Sequence, residues 1–219
     1  MRYNERGALA RESVLTHAIA IAAREGFAAV TFDRLAKDLE RSKSGIFELF
    51  RSKEGLRAEV IRWSLHLFQE RVVRPSRTIG GAPGLRIMLE RWLDHIVSYE
   101  GLALAITAVT EFDEDRYRPF EQIGQSQMNV IEGGVLFGVK FGQIKKEVDR
   151  RQLALDLYVL GAGSAMAVMA QGEAVLELVG KRIDARFAEF LTPEGAEEVA
   201  RELERHREMV WRRAVDDFY

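Results

Sequence analysis

The sequence predicts an all-α fold, with a small three-helix domain at the N-terminus followed by a larger helical bundle. Three observations predict it. Apolar residues recur at helical spacing almost throughout, with no convincing strand alternation and no internal repeat. Prolines are sparse, only four in 219 residues, at positions 75, 83, 119 and 193. Capping residues stand just ahead of the apolar repeats rather than inside them.

The first helix is expected from about Ala10 to Arg24, where Val14, Leu15, Ala18, Ile19, Ala22 and Ala23 form one apolar face. Gly26 suits the left-handed position that ends it. Thr31 is the N-cap of a second helix with Phe32, Leu35, Ala36 and Leu39 at i, i+3, i+4 and i+7. A break at Glu40-Arg41 follows. Ser42 caps a short third helix with Ile46, Phe47 and Phe50 on its inner side, and Ser52 opens a long fourth helix expected to run to about Arg74, before Pro75. The stretch Ile79 to Gly84, with three glycines and a proline, is the expected linker. Beyond it, helices are expected near 85–96, 101–111, 119–141, 150–172 and 194–215, and 173–192 is expected to be irregular. The domains are accordingly placed at residues 1–56 and 57–219, with the helix from about 52 to 74 connecting them.

Composition narrows the class. The chain has no cysteine, so disulfides and thiolate metal sites are excluded. Its N-terminus is polar, and its longest weakly polar stretch, Leu157 to Ala170, is too short to span a bilayer core of about 30 Å. A cytoplasmic, soluble protein without membrane contact is expected. The net charge is −2, yet residues 1–57 carry 11 Lys and Arg against 8 Asp and Glu. That small basic excess lies where the second and third helices lie.

Those two short helices, Thr31–Leu39 and Ser42–Leu49, have the length and spacing of a helix-turn-helix, whose second helix enters the major groove by its N-terminal end. The residues offered there are polar, basic or small: Arg41, Ser42, Lys43, Ser44 and Gly45. Phe47 continues the same helix, and Arg51 follows it. Thr31 and Lys53 stand at the starts of flanking helices, where free N–H groups favour phosphate. These nine residues are the candidate contacts to double-stranded DNA.

The segment 14–60 resembles the N-terminal domain of the TetR family of transcriptional regulators. The resemblance rests on Gly26-Phe27 after the first helix, Thr31 opening the second, Phe47-Glu48-Leu49-Phe50 in the third, and Ser52-Lys53-Glu54 opening the fourth. The sequence departs from the family pattern at four places. Glu40 stands where the turn usually has glycine, and Arg41 replaces an aliphatic residue. Phe47 replaces a frequent tyrosine, and Leu49 a frequent histidine. The strings E-R-W-L-D-H-I at 90–96 and E-F-D at 111–113 resemble one subgroup of such regulators.

The resemblance implies a homodimer acting on a palindromic operator, released by a small-molecule effector of unknown identity, with no cofactor. It also implies a ligand cavity in the C-terminal region, for which Trp92, Ile96, Phe112, Met128, Phe137 and Tyr158 are the candidates. A dimer interface is expected on the helices at about 150–172 and 194–215. Gly161 to Ala165 are small enough there for close approach, and Val199, Leu203, His206, Val210 and Ala214 repeat at helical steps. The alternative is that both faces are buried within one subunit.

Two rival classes remain in view. A helical adaptor or ligand-binding protein could keep the fold without specific DNA binding. A helical enzyme is the other. Against it, none of His17, His66, His95 and His206 follows a glutamate by three residues, so no Glu-x-x-His metal pair is present. A phosphate-binding loop is also missing, and Gly161-Ala162-Gly163 lacks the strand and third glycine of a dinucleotide site. No enzymatic activity is expected.

Overall fold

The computed structural model describes residues 2–97 and 114–216. Among these residues the regular secondary structure is helical, apart from an isolated antiparallel bridge between Ile144 and Leu191. In chain order the helices are α1 (Arg2–Glu25), α2 (Phe32–Asp38), α3 (Lys43–Phe50), α4 (Lys53–Phe68), α5 (Arg74–Ile79), α6 (Gly81–Val97), α7 (Glu114–Lys140), α8 (Arg150–Gln171), α9 (Leu176–Phe190) and α10 (Pro193–Asp216). No helix among the described residues is long and apolar enough to cross a membrane. The expected helix at 101–111 lies outside the described residues.

Backbone contacts group the chain into two compact units. The first is Met1–Gln69 with His95–Phe120, and the second is Glu70–Asp94 with Glu121–Tyr219. In the first, one face of α1 supplies Val14, Leu15, Ala18, Ile19 and Ala22 to a core closed by Leu35 of α2, Ile46 and Phe50 of α3, and Leu56 and Val60 of α4. Those of α1, α2 and α3 are apolar positions whose periodicity predicted the helices. α1 begins at Arg2, eight residues before the expected start at Ala10, because polar residues extend a helix without burying anything.

Within the second unit, Ala82, Leu85, Ile87, Leu89 and Trp92 of α6 are buried, as are Ile131 and Val135 of α7, Leu153 and Leu157 of α8, and Val199 of α10. The segment expected to be irregular folds as α9. Its Val179, Ile183, Phe187 and Phe190 are spaced by four, four and three residues and are all buried, which is a helical stripe.

Two breaker signals act differently from expectation. The helix does not stop before Pro75. Instead Gln69–Val73 widens into a π-helical turn and α5 follows with Pro75 in its first turn. Proline lacks the N–H that would bond the carbonyl four residues back. That carbonyl belongs to Arg71, and the Arg91 guanidinium donates to it at 3.0 Å.

The expected linker at 79–84 is also no flexible tether. α5 ends at Ile79, Gly80 turns the chain at φ 72°, and Gly81–Gly84 form the buried first turn of α6. The glycines serve close approach. A Cβ on Gly81 would collide with Gln143 Oε1, and one on Gly84 would lie 2.6 Å from the Ser76 carbonyl oxygen. Gln143 Oε1 accepts from the Ala82 N–H at 2.9 Å and so fixes this corner.

Candidate nucleic-acid interface

The helix-turn-helix is assembled by three caps and a buried root. Thr31 Oγ1 accepts from the Arg34 N–H at 3.2 Å and starts α2. Ser42 Oγ accepts from the Gly45 N–H at 3.1 Å and starts α3. Ser52 Oγ accepts from the Gly55 N–H at 2.9 Å and starts α4. All three cap residues were legible in the sequence. The Thr31 hydroxyl is therefore engaged in capping.

Between α2 and α3 the chain closes a Schellman turn. The Arg41 N–H bonds the Ala36 carbonyl at 2.9 Å, and the Glu40 N–H reaches the Lys37 carbonyl at 3.4 Å. The residue at the left-handed position of such a turn is usually glycine. Here it is Glu40, at φ 51°. The turn keeps its normal hydrogen bonds at a conformational cost of about 1–2 kcal/mol. A second non-glycine residue with positive φ, Arg51 at 65°, ends α3.

This frame leaves one end of α3 in solvent. Arg41, Ser42, Lys43, Ser44 and Gly45 are all exposed, whereas Ile46 and Phe50 are buried in the core. The N-terminal turn that would enter a groove is thus polar and free of the core, and the root that holds it is apolar. Phe47 is 47% exposed and meets Phe32 edge to face, with ring centroids 5.5 Å apart. Leu49, where the family often has histidine, packs against the core instead. Arg51 and Lys53 are exposed beyond the helix. Lys43 Nζ lies 2.9 and 2.8 Å from the two carboxylate oxygens of Asp33.

Several residues that position α3 carry no obvious sequence signal. Arg11 of α1 donates to the Leu49 carbonyl at 2.7 Å, one of the unpaired carbonyls at the end of α3. Its other terminal nitrogen lies 2.7 Å from Glu59 of α4, and its guanidinium sits 5.0 Å from the Phe50 ring centroid. One arginine therefore joins three helices. Gly55 is required by space, since a Cβ there would collide with the Phe50 carbonyl oxygen. His17 of α1 and Arg34 of α2 meet at Asp38, at 3.0 and 2.6 Å. The His17 hydrogen bond, with that of Arg34, holds the Asp38 carboxyl below its ordinary value.

The proposed cavity residues are more dispersed. Trp92 is buried and its ring centroid lies 6.2 Å from that of Tyr158, with Gly161 making room against the indole. Ile96 is buried, and Met128 is half-buried. Phe137 is exposed and stacks on Phe141 at 5.9 Å. Phe112 lies outside the described residues. A groove of about 440 Å³ in the second unit is lined by Phe137 with Leu85, Met88, Asn129 and Val130, among others. Among the described residues, no group of three or more His, Asp or Glu is placed to hold a metal ion.

An exposed, polar recognition-helix end on an apolar three-helix root defines a helix-turn-helix DNA-binding domain, here carried on a helical body. Residues 14–60 match the family model described as bacterial regulatory proteins, tetR family. No curated protein matches the sequence. Solved structures do match in fold. A TetR transcriptional regulator from Chloroflexus aurantiacus is 20% identical over 87% of this chain and 98% of its own, with a TM-score of 0.71. A putative transcriptional regulator from Saccharomonospora viridis, solved with choline, is 21% identical over 84% and 99%, with a TM-score of 0.64. A third, AibR in complex with isovaleryl coenzyme A and operator DNA, is 17% identical over 69% and 83%, with a TM-score of 0.57. Residues 14–60 are thus matched by the tetR-family model, and over most of its length the chain shares the fold of solved transcriptional regulators of that type.

Proposed function

We propose that the protein is a ligand-released repressor that binds a palindromic operator as a homodimer in the cytoplasm. The observation that carries the reading is the exposed Arg41–Gly45 turn set on a root held by buried Ile46 and Phe50. Residues 1–56 form the DNA-binding domain and 57–219 the effector and dimerisation domain. Arg41, Lys43, Arg51 and Lys53 supply phosphate and base-edge contacts, and Ser42, Ser44 and Gly45 allow close approach to the groove wall.

The dimer rests chiefly on α8. Leu155, Val159, Gly163 and Met166 stand at steps of four, four and three and are exposed, forming an apolar stripe along the helix. Gly161 and Ser164 of the same helix face inward and belong to the subunit's own packing. The face of α10 chosen from periodicity turns inward too, since Val199 and His206 are buried within the chain. α10 therefore joins a partner through its other face, where Ala196, Ala200 and Glu204 are exposed.

The effector shifts the dimer to a conformation whose two recognition helices no longer match half-sites about 34 Å apart. To move a population from 1:99 to 99:1 it must prefer that conformation by about 10⁴-fold. Choline and isovaleryl coenzyme A in two structural relatives support a small organic effector here without specifying it.

The test is selection of genomic DNA fragments on the immobilised protein, followed by fluorescence anisotropy of the recovered sequence over a salt series. A recovered inverted repeat, bound in a salt-sensitive and sequence-specific manner, is expected. Failure to enrich any sequence would show a TetR-like helical adaptor that does not read DNA.

A further inference from the structure

We propose that the groove bounded by α5, the start of α6 and α7 is the effector site, and that it takes a small apolar monocarboxylate. This deepens the ligand-released reading above and rests on it. The groove holds about 440 Å³, towards the small end of the roughly 300–1,000 Å³ of sites for small organic molecules. Of the cavity residues expected from the family resemblance, Phe137 lines it, whereas Trp92, Ile96, Met128 and Tyr158 do not.

Gly133 shows that the groove has room for an occupant. Two other glycines of α7 are explained by packing. A Cβ on Gly134 would lie 2.6 Å from Leu85, and one on Gly138 would lie 2.5 Å from Ile144. Gly133 has no such reason. A Cβ there would meet nothing within 4 Å, and the residue sits in the middle of α7 without a positive φ. Glycine inside a helix is disfavoured against alanine, so α7 carries a cost that no contact among the described residues requires. The space that Gly133 leaves open is the groove it lines.

The lining states the chemistry of the occupant. Leu85, Met88, Val130 and Phe137 give it an apolar wall. Among the described lining residues Arg77 is the one ionisable group, so the groove has a cation and no acid. Arg77 is exposed, and no carboxylate among the described residues pairs with it. The polar neighbours also offer donors. Asn129 Oδ1 accepts from Gln125 Nε2 at 2.9 Å, which leaves the Asn129 NH2 to donate. A guanidinium matches one carboxylate in charge and fork geometry. A phosphate monoester, at about −1.5 to −2, would exceed the single positive charge. An apolar body bearing one carboxylate satisfies both the wall and Arg77, and an organic cation satisfies neither Arg77 nor the donors.

The experiment is isothermal titration calorimetry of the full-length protein, free of DNA, with octanoate, 1-octanol and octyltrimethylammonium. Octanoate should bind about tenfold tighter than 1-octanol, a factor within reach of one charged hydrogen bond, and the cation should bind most weakly. Arg77→Gln should weaken octanoate about tenfold and leave 1-octanol unchanged. Gly133→Leu fills the groove and should weaken both by about tenfold or more. Its melting temperature should hold or rise, since leucine is the better helix former. Saturating octanoate should lower the operator affinity of the wild type and leave that of G133L unmoved. Octanoate bound no tighter than the alcohol, or an affinity that R77Q and G133L leave unchanged, overturns the proposal. So does a change of oligomeric state in G133L by sedimentation, which would mean that a second copy covers the groove. Octanoate that binds through Arg77 without changing operator affinity overturns the effector role. Wild-type protein that binds no DNA defeats the operator reading instead, and the titrations without DNA still decide the site.

Discussion

Glu40 occupies a backbone position that the polypeptide disfavours, and the consequence is measurable. At φ 51° an L-residue bears a conformational cost of about 1–2 kcal/mol that glycine does not. Glycine in turn loses more backbone entropy on folding, about 0.4–1 kcal/mol. The Glu40 side chain is exposed, so its removal sacrifices no packing. Glu40→Gly should therefore stabilise the domain by about 0.5–1 kcal/mol. Glu40→Ala removes the same charge but keeps a Cβ at positive φ. Alanine should thus be less stable than glycine by about 1 kcal/mol, and the difference isolates the backbone from the electrostatics.

The assay is urea unfolding of the wild type, E40G and E40A, with unchanged m-values required for the comparison. A gain of 1 kcal/mol is expected to raise the melting temperature by about 2–4 °C in a chain of this size. Hydrogen exchange at the Arg41 amide, which closes the turn onto Ala36, gives a local reading of the same quantity. If E40G proves no more stable than E40A, the left-handed turn is not a source of strain and the reasoning fails.

Other outcomes follow from the same contacts. Arg11→Ala should destabilise the first unit by about 1–2 kcal/mol through loss of a charged hydrogen bond at a half-exposed site. It should also lower hydrogen-exchange protection at the C-terminal end of α3, and unchanged protection would contradict the three-helix role of this arginine. His206 is buried, and its pKa is pushed down first by desolvation and next by the charge of Arg91, with Glu90 opposing. A histidine with a lowered folded pKa binds fewer protons folded than unfolded. Stability should therefore be full above the unfolded value of about 6.5 and decline as the pH falls towards the folded value. His206→Asn should flatten the melting temperature between pH 7 and 5 relative to the wild type, whereas parallel curves would refute the assignment.

The DNA-binding domain was legible because local and global signals agree there. Thr31, Ser42 and Ser52 cap the helices they precede, and the apolar periodicity of Leu35, Ile46 and Phe50 is the buried face. Positioning residues were not legible, because Arg11 and Gly55 act on partners 38 and 5 residues away through geometry that no spacing rule encodes. The glycines at 80–84 misled for a related reason. Glycine marks both flexible tethers and close approaches, and only the third dimension brings Gln143 and Ser76 against them. Pro75 misled because a π turn and a distant arginine accommodate it. α9 was obscured by its exposed Leu178, which interrupts the contrast between the buried stripe and the polar face.

The central claim is that the N-terminal end of α3 grips DNA. Operator affinity of Lys43→Ala and Lys140→Ala, measured side by side at 0.15 M salt, tests it most directly. Both lysines are exposed, but Lys43 opens α3 whereas Lys140 ends α7. K43A should lose about fivefold or more in affinity, with a shallower salt slope, and K140A should match the wild type. Equal effects of the two substitutions would contradict the assignment of α3 as the recognition helix.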